Sequence, residues 1–489
     1  MPGIRRNIAY LGLSQGVGIA SGLVMVALTT RYLGVERFGQ QSVLRSTALF
    51  ALPLFAGGLN IHIVRAIAQD PEGIPAYLGN ILALRWCLGL TVGALLSIIV
   101  RLLPLTPSLE LASYSAILLL LSNLWISVPR AILIAYERNE YNLLMGVAGG
   151  LVAVALTVVA IRLDTGVAGT LAALAASDFA VAGVAQVVMW RRLVRPRFSV
   201  DLARWREIMR SALPLGLSGV LRRSYTRVDV WLLAALDGSA AAALFSVAYR
   251  VALTVNDISR MIGAALLPRL TALAKNRRDD LRTAVECSLR LLMIVSMVGA
   301  GLAAACAAPV LLLLAGPKFE GSVVALRLIS VVCVTALPDA VLFLVLVALG
   351  RERIAMLCLA ATVAWNIIAD SILIPLLSVR GACYGTISAE WLYFGLALYL
   401  VQKELRIPSL WSFFARLVLS GLGMAGAVWL AGPGRPVLGA TAGLVVLLVL
   451  SYALRVVPRG TVRRLRQALA MRPAQAAPEA APAPEEVLL

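Results

Sequence analysis

The sequence predicts an all-α polytopic membrane protein with about fourteen transmembrane helices. Two observations carry this prediction: long apolar segments recur along the chain, and the positive charge of the loops between them alternates. Hydrophobic residues occupy 60% of the 489 positions, and the mean hydropathy is +0.89. One soluble core cannot hide so much apolar sequence, whereas helices satisfy their own backbone hydrogen bonds in lipid.

The predicted spans follow one another with short connections. In chain order they lie near residues 7–30, 39–66, 79–102, 113–136, 142–162, 166–190, 208–236, 240–268, 287–315, 323–349, 352–376, 381–402, 411–431 and 436–456. Most approach or exceed the roughly 20 residues that cross a bilayer as a helix. The first span leads directly into the next and lacks a small-residue cleavage pattern, so we interpret it as a helix of the protein.

The cations of the loops predict the orientation. They cluster before span one, after spans six and eight, and after span fourteen, whereas the loops on the other side carry isolated cations or none. The positive-inside rule therefore predicts that both termini are cytoplasmic. The net charge of +19 reflects this topology and attraction to anionic membrane lipids, and we expect no nucleic-acid partner.

An internal repeat divides the chain. A shift of 204 positions places Leu11-Gly12-Leu13-Ser14 on Leu215-Gly216-Leu217-Ser218, and Gly34 on Gly238. Six spans separate the matched elements, so both halves enter the membrane in the same direction and form two six-helix lobes related by a parallel pseudo-two-fold axis. We predict an N-lobe at 1–197, a C-lobe at 198–406, two further helices at 407–457, and a cytoplasmic basic helix with a disordered tail at 458–489.

Parallel duplication favours a transporter over a channel or a structural membrane protein. An enzyme that uses lipid-linked sugars is a third alternative, but the predicted outer loops are short and carry no paired carboxylates, so we predict no catalytic residues. The sequence has no Walker-type phosphate loop. Its six cysteines and single histidine show no metal-binding spacing, and we expect neither a metal site nor a cofactor.

Ionised side chains within hydrocarbon are costly, so charges inside the predicted spans indicate a wet or paired site. Five arginines form the first such group: Arg45 in span two, Arg222, Arg223 and Arg227 in span seven, and Arg250 in span eight. Arg45 and Arg250 occupy nearly matching positions in the repeat, one residue out of register. We predict that the five line one central cavity and bind an anion, because each guanidinium can bond two phosphate oxygens at once.

Five acids form the second group: Asp178, Asp229, Asp339, Asp370 and Glu390. They could bind Na⁺ or relay protons and so couple transport to an ion gradient. They could equally neutralise the arginines, for example through an ion pair between Arg227 and Asp229. The second interpretation is favoured.

Short motifs spread over nearly the whole chain resemble polysaccharide-transport flippases of the O-antigen and exopolysaccharide type. Residues 31–39 (Arg-Tyr-Leu-Gly-Val-Glu-Arg-Phe-Gly) are similar to the junction between the first two spans of that family. Residues 213–217 with Arg227-Val228-Asp229 resemble its seventh span, and residues 244–250 the start of its eighth. Residues 349–351 and 366–382 resemble its tenth and eleventh spans. The order and spacing of these motifs carry the resemblance.

The family belongs to the multidrug/oligosaccharidyl-lipid/polysaccharide exporter superfamily. The resemblance implies two six-helix lobes, here with two extra helices, that work by alternating access. It also implies that a lipid-diphosphate-linked oligosaccharide, carried on undecaprenyl, moves from the cytoplasmic to the outer leaflet, with the polysaccharide polymerase machinery as a candidate partner. Two alternatives stay open: a lipid II flippase for peptidoglycan, and a cation-coupled multidrug exporter.

Overall fold

The protein is all-helical throughout the part of the chain that the structure describes. The structure is a computed structural model, and it describes residues 2–53, 59–60, 63, 67, 74–136, 138–197, 200–210, 220–221, 227–276, 278–407, 410–432, 435–456 and 460–461. Every regular element within these residues is a helix, which confirms the predicted fold class.

Fifteen named helices are labelled here in chain order. They are α1 (Pro2–Leu52), α2 (Ile74–Leu102), α3 (Pro107–Ala135), α4 (Asn139–Arg162), α5 (Gly166–Arg192), α6 (Val228–Leu236), α7 (Ser239–Asn276), α8 (Arg278–Ala305), α9 (Ala307–Ala315), α10 (Gly321–Ile329), α11 (Cys333–Ala348), α12 (Glu352–Leu377), α13 (Val379–Leu405), α14 (Leu410–Ala431) and α15 (Pro436–Ala453). Residues 202–210 are also helical, and a short 3-10 turn covers Pro317–Phe319.

The number of predicted spans is approximate. Among the described residues, nine helices are long and apolar enough to cross a membrane, or ten if the bent pair α10 and α11 is one span. Helix α1 contains the first predicted span and the start of the second, and most of the seventh predicted span before Arg227 lies outside the described residues. Helix α13 does not qualify as a span in this count, and it carries Arg380, Glu390, Lys403 and Glu404 along its length.

Several predicted boundaries differ from the helices. The first two spans are two helices that meet directly at a kink at Gly34, where φ is 72°, a value that glycine adopts without steric cost. The predicted ninth span begins nine residues too late, because α8 already starts at Arg278 with Asp279 and Asp280 in its first turn. The predicted tenth span is broken, since α10 and α11 meet at an angle of 41°.

The two halves of the chain share their main core at one end of the bundle. At this end, called the closed end and marked by Gly34 and Gly238, a single apolar cluster includes residues of α1, α3 and α5 together with residues of α6, α7 and α9. At the opposite end, called the open end, the described residues form separate clusters: one in the C-terminal half and two in the N-terminal half, one of which also includes Ile208 of the helical residues 202–210. Within the described residues, the most extensive contact between the halves is therefore at the closed end.

Helix α1 makes the closed-end contacts between the halves. The rings of Phe38 and Phe319 meet edge to face with centroids 5.8 Å apart, and Arg31 Nη2 donates to the carbonyl of Leu313 at 2.6 Å. A Cβ on Gly39 would overlap the backbone of Ser239. Only a glycine at position 39 lets α1 approach α7 this closely.

Matching loop contacts within each half support the predicted repeat. Gly34 and Gly238, superposed by the 204-residue shift, both adopt positive φ, at 72° and 91°. In the N-terminal half, Tyr32 donates to Asp164 at 2.8 Å. In the C-terminal half, Ser378 donates to Asp237. In each half, a side-chain hydrogen bond therefore joins the loop that follows the first span to the loop that precedes the sixth span.

The last two helices stand beside the C-terminal half. Helices α14 and α15 pack on each other and on α8, where the guanidinium of Arg290 lies 5.4 Å from the ring centre of Phe413. Arg416 donates to the carbonyl of Leu454 and ties the start of α14 to the end of α15. The predicted basic helix and tail, apart from residues 460–461, lie outside the described residues.

Candidate functional site: a cationic cavity and a buried carboxylate cluster

A cavity of about 460 Å³ lies within the N-terminal half. Its walls come from α1, α3, α4 and α5, and Arg250 of α7 contributes from the other half. A volume of this size is typical of sites that bind small molecules or head groups.

Three arginines line this cavity: Arg45, Arg130 and Arg250. Arg250 and Arg227 are close enough to repel the charge of Arg45, which Asp178 attracts. A Cβ on Gly22 would overlap Nη2 of Arg250, so the guanidinium lies directly on the backbone of α1. Like charges gathered at this depth in a membrane protein favour an anionic ligand.

Among the described residues that line the cavity, Asp178 is the one acid. One of its oxygens accepts a hydrogen bond of 3.0 Å from Asn123, and Arg130 and Arg45 both interact with its charge. With three arginines and one carboxylate, the described lining residues have an excess of positive charge.

The wall formed by residues 14–22 of α1 and by α4 carries no charged group among the described residues that line the cavity, and it is rich in glycine and serine. A Cβ on Gly146 would come within 3.1 Å of Ser14 Oγ, and one on Gly150 within 2.9 Å of Ser21 Cβ. Ser14 also donates to the carbonyl of Asn142 at 3.3 Å. Glycine on α4 therefore brings the two helices close together and leaves backbone and short polar groups on the cavity surface.

The predicted arginines are partly brought together. Arg45 and Arg250 line the same cavity, as their matching places in the repeat predict. Arg227 stands beside it: it is the residue before α6, and its Nη1 donates to Ser46 at 3.4 Å. Arg222 and Arg223 lie outside the described residues, so their predicted place in the cavity stays a prediction.

A second polar cluster is buried in the C-terminal half, where α6, α12 and α13 meet. Asp229 is 1% exposed and Asp370 is 0% exposed. Asp370 and Asn366 both face Asp229, and Thr386 donates to Asp229 at 3.2 Å. We call these four residues the carboxylate cluster.

The carboxylate cluster is short of hydrogen-bond donors. The second oxygen of Asp229, both oxygens of Asp370 and the amide of Asn366 are buried without a well-aligned hydrogen bond from the described residues. A Cβ on Gly385 would overlap Asp370 Oδ1, so glycine makes room for this carboxylate. Two carboxylates in mutual contact need a positive charge between them, either a small cation or a proton.

The remaining predicted acids stand apart from both sites. Asp339 on α11 is 7% exposed, and neither of its oxygens is hydrogen-bonded by the described residues. Glu390 is 6% exposed and lies one turn from Thr386 on the buried face of α13. Neither residue lines the cavity.

Sequence reasoning missed Arg130, Asn123 and a third polar residue, Arg85. Arg130 lies inside the predicted span 113–136, so the depth argument applied to the other arginines could have found it. Arg85 is 5% exposed and donates to Asn60 and Ser127, each at 2.5 Å. It lies within α2 away from the cavity, and these bonds give it a structural role.

Halves that share a core at one end and enclose a charged cavity are the architecture of a membrane transporter. Residues 4–274 match the model of the family described as Polysaccharide biosynthesis protein. The chain belongs to this family. A search of curated proteins finds no match.

Solved structures share the fold at low sequence identity. The lipid II flippase MurJ, in an inward closed conformation, is 12% identical with a TM-score of 0.75, over 91% of this chain and 98% of that one. An inward-facing multidrug resistance MATE family transporter of the MOP superfamily is 20% identical with a TM-score of 0.58, over 82% and 96%. A MOP superfamily transporter from Pyrococcus furiosus is 16% identical with a TM-score of 0.57, over 81% and 95%. This protein thus has the fold of MOP superfamily transporters.

Proposed function

We propose that this protein is a flippase that moves an undecaprenyl-diphosphate-linked oligosaccharide from the cytoplasmic to the outer leaflet by alternating access. It is not an enzyme in this proposal, and it acts in the inner membrane with both termini in the cytoplasm. In that orientation the closed end is the outer side and the cavity takes up substrate from the cytoplasmic side. A polysaccharide polymerase would receive the flipped lipid.

One observation carries the proposal: Arg45, Arg130 and Arg250 share a cavity in which Asp178 is the one lining acid. A diphosphate carries enough negative charge to balance the excess, and its oxygens match the paired donors of guanidinium groups. Arg250 comes from the half opposite to the other two. A diphosphate bound by all three would therefore draw the halves together, which is the step that alternating access requires.

The carboxylate cluster supports coupling to an ion gradient. Asp229, Asp370, Asn366 and Thr386 offer oxygen ligands in a buried pocket, and hard cations such as Na⁺ prefer oxygen ligands. Arg227 and Asp229 lie two residues apart at the start of α6. A cation in the cluster would thus act on the same segment that contacts α1 through Arg227 and Ser46.

Two other substrates fit parts of the structure. The fold shared with MurJ supports lipid II, whose diphosphate would suit the same arginines. The fold shared with MATE transporters supports a multidrug exporter, but an excess of arginine would repel cationic drugs. The cavity therefore favours a lipid diphosphate over a cationic drug.

The test is a flipping assay with purified protein in liposomes. Labelled undecaprenyl-diphosphate-oligosaccharide, lipid II and a fluorescent cationic drug are compared, each with and without Na⁺ and proton gradients. We expect the oligosaccharide lipid to become accessible in the opposite leaflet in a protein-dependent manner. Arg45→Gln should remove this activity.

Arg101→Gln is the matched control, because Arg101 stands exposed in the last turn of α2 outside the cavity. It should flip at the wild-type rate. Gradient-driven movement of the drug without lipid flipping would overturn the proposal, and so would equal activity of the Arg45 and Arg101 variants. Flipping of lipid II alone would assign the protein to peptidoglycan synthesis.

A further inference from the structure

We infer that the uncharged wall formed by residues 14–22 of α1 and by α4 is the subsite for the first sugar of the substrate, the one bonded to the diphosphate. This inference rests on the proposed function, because it assumes a lipid diphosphate at the arginines. It names Gly18, Asn142 and Gln15 as residues that determine which head groups are accepted.

The wall continues directly from the arginines. Ser14, Gly18 and Gly22 are spaced four residues apart on α1 and all line the cavity, as expected for one face of a helix. Gly22 lies against the guanidinium of Arg250. Each helical turn rises about 5.4 Å, so Gly18 and Ser14 follow at one and two turns from a phosphate held by Arg250.

Gly18 leaves open space beside this phosphate position. A Cβ on Gly18 would meet no protein atom within 4 Å, although the residue lines the cavity. Gly146, Gly149 and Gly150 on α4 form the facing surface. Bare backbone on two helices provides a shallow recess that a flat sugar ring can enter.

Polar groups without charge border the recess. Asn142 is 8% exposed, its Nδ2 donates to Asn139 at 3.1 Å, and its Oδ1 is buried without a hydrogen bond from the described residues. An acceptor left without a donor costs free energy, and a small rotation would offer it to a donor in the cavity. Gln15 is exposed and lines the same wall.

Neutral amides and hydroxyls match the chemistry of a sugar. Hydroxyl and acetamido groups donate and accept hydrogen bonds but carry no charge, so they gain little from the arginines. The cavity thus has two chemically different parts: a cationic part for the diphosphate and a neutral part for a pyranose with free hydroxyl or acetamido groups. A site that hydrogen-bonds such groups discriminates strongly against ligands that lack them.

The test separates the two parts by comparing lipids with and without a sugar. Binding to the purified protein is measured for undecaprenyl diphosphate and for undecaprenyl-diphosphate-linked glucose, galactose and N-acetylglucosamine. We expect at least one sugar-bearing lipid to bind about tenfold more tightly than undecaprenyl diphosphate, as one or two neutral hydrogen bonds allow.

Gly18→Leu should fill the recess and remove this advantage while undecaprenyl diphosphate still binds. Gly16→Leu is the matched control: it lies on the same helix, a Cβ there also meets no atom within 4 Å, and it does not line the cavity. It should keep the full advantage. Asn142→Leu should also reduce the preference for sugar-bearing lipids. This variant tests the hydrogen bond between the Asn142 amide and the sugar, whereas Gly18→Leu tests the open space of the recess.

Three results would overturn the inference while leaving the flippase proposal intact. The first is that the wild type binds all four lipids equally well. The second is that Gly18→Leu still binds sugar-bearing lipids more tightly than undecaprenyl diphosphate, by the wild-type factor. The third is that Gly16→Leu loses this preference for sugar-bearing lipids as Gly18→Leu does. Undecaprenyl diphosphate that fails to bind, or that binds Arg45→Gln as well as wild type, would overturn the proposed function itself.

Discussion

The cationic cavity and the carboxylate cluster place opposite charges in opposite surroundings. The arginines of the cavity are partly exposed and face an enclosed space of about 460 Å³. Asp229 and Asp370 are fully buried and face each other with Asn366 and Thr386. The first site is an open space large enough for a head group, whereas the second is a packed cluster whose two acids require a compensating positive charge.

The difference follows from the cost of burying charge. A water-filled cavity lets several guanidinium groups stay ionised near one another, because water screens their mutual repulsion. A bound anion then takes the place of that water. A dry pocket cannot hold two ionised carboxylates without a compensating positive charge. In the proposed function, substrate binding belongs to the cavity and ion coupling to the cluster, and four substitutions test this division.

Loss of a cavity arginine should have the largest effect. In the flipping assay, Arg250→Gln removes a charge-assisted contact worth about 2 kcal/mol, which lowers the rate roughly 30-fold. Dependence on the ion gradient should survive in the residual activity. A variant that flips normally but ignores the gradient would show that Arg250 serves coupling instead of substrate binding.

Asp370→Asn should have the reverse signature. It keeps the size of the side chain and one oxygen but removes one of the two facing charges, so the cluster attracts a cation less strongly. We expect flipping to lose its gradient stimulation, about tenfold if the lost charge contributes about 1.4 kcal/mol, while undecaprenyl-diphosphate binding stays at the wild-type value. Weaker lipid binding in this variant would contradict the division, because it would show that the carboxylate cluster also contributes to substrate binding.

Asp178→Asn should strengthen substrate binding. Asp178 interacts with the charges of Arg45 and Arg130, so it competes with the diphosphate for the same cations. Its neutralisation should tighten binding of undecaprenyl diphosphate about fivefold, or about 1 kcal/mol, with slower release. If binding instead weakens, Asp178 holds the arginines in position and does not compete with the ligand.

Gly22→Ala should have the smallest effect. The added methyl group overlaps Nη2 of Arg250, and the flexible end of that side chain can move aside. We expect binding to weaken about threefold, or about 0.7 kcal/mol, whereas Gly16→Ala binds like the wild type. An effect as large as that of Arg250→Gln would mean that the Arg250 guanidinium can bind the diphosphate only from its place against Gly22.

Several residues of the candidate site could be predicted from one criterion, which is that a charged residue lies deep within a predicted transmembrane span. Arg45, Arg250 and Asp178 stand out as charges within apolar spans, and all three line one cavity. The same criterion could have found Arg130, which was overlooked near the end of its span. Nothing local distinguishes Asp178 from Asp370, although one faces arginines and the other faces a second acid, because that choice depends on which helices pack together.

Hydropathy and loop charge, read along the chain, are enough to establish helices in a membrane, a duplicated architecture and a need to accommodate buried charge. They reflect the transfer of each segment from water to lipid, which depends on local composition. The tertiary structure decided that α1 bends at Gly34, that the halves meet at one end, and that cations and carboxylates occupy separate sites. Those features depend on contacts between residues far apart in the chain, such as Gly39 with Ser239 and Asp229 with Thr386.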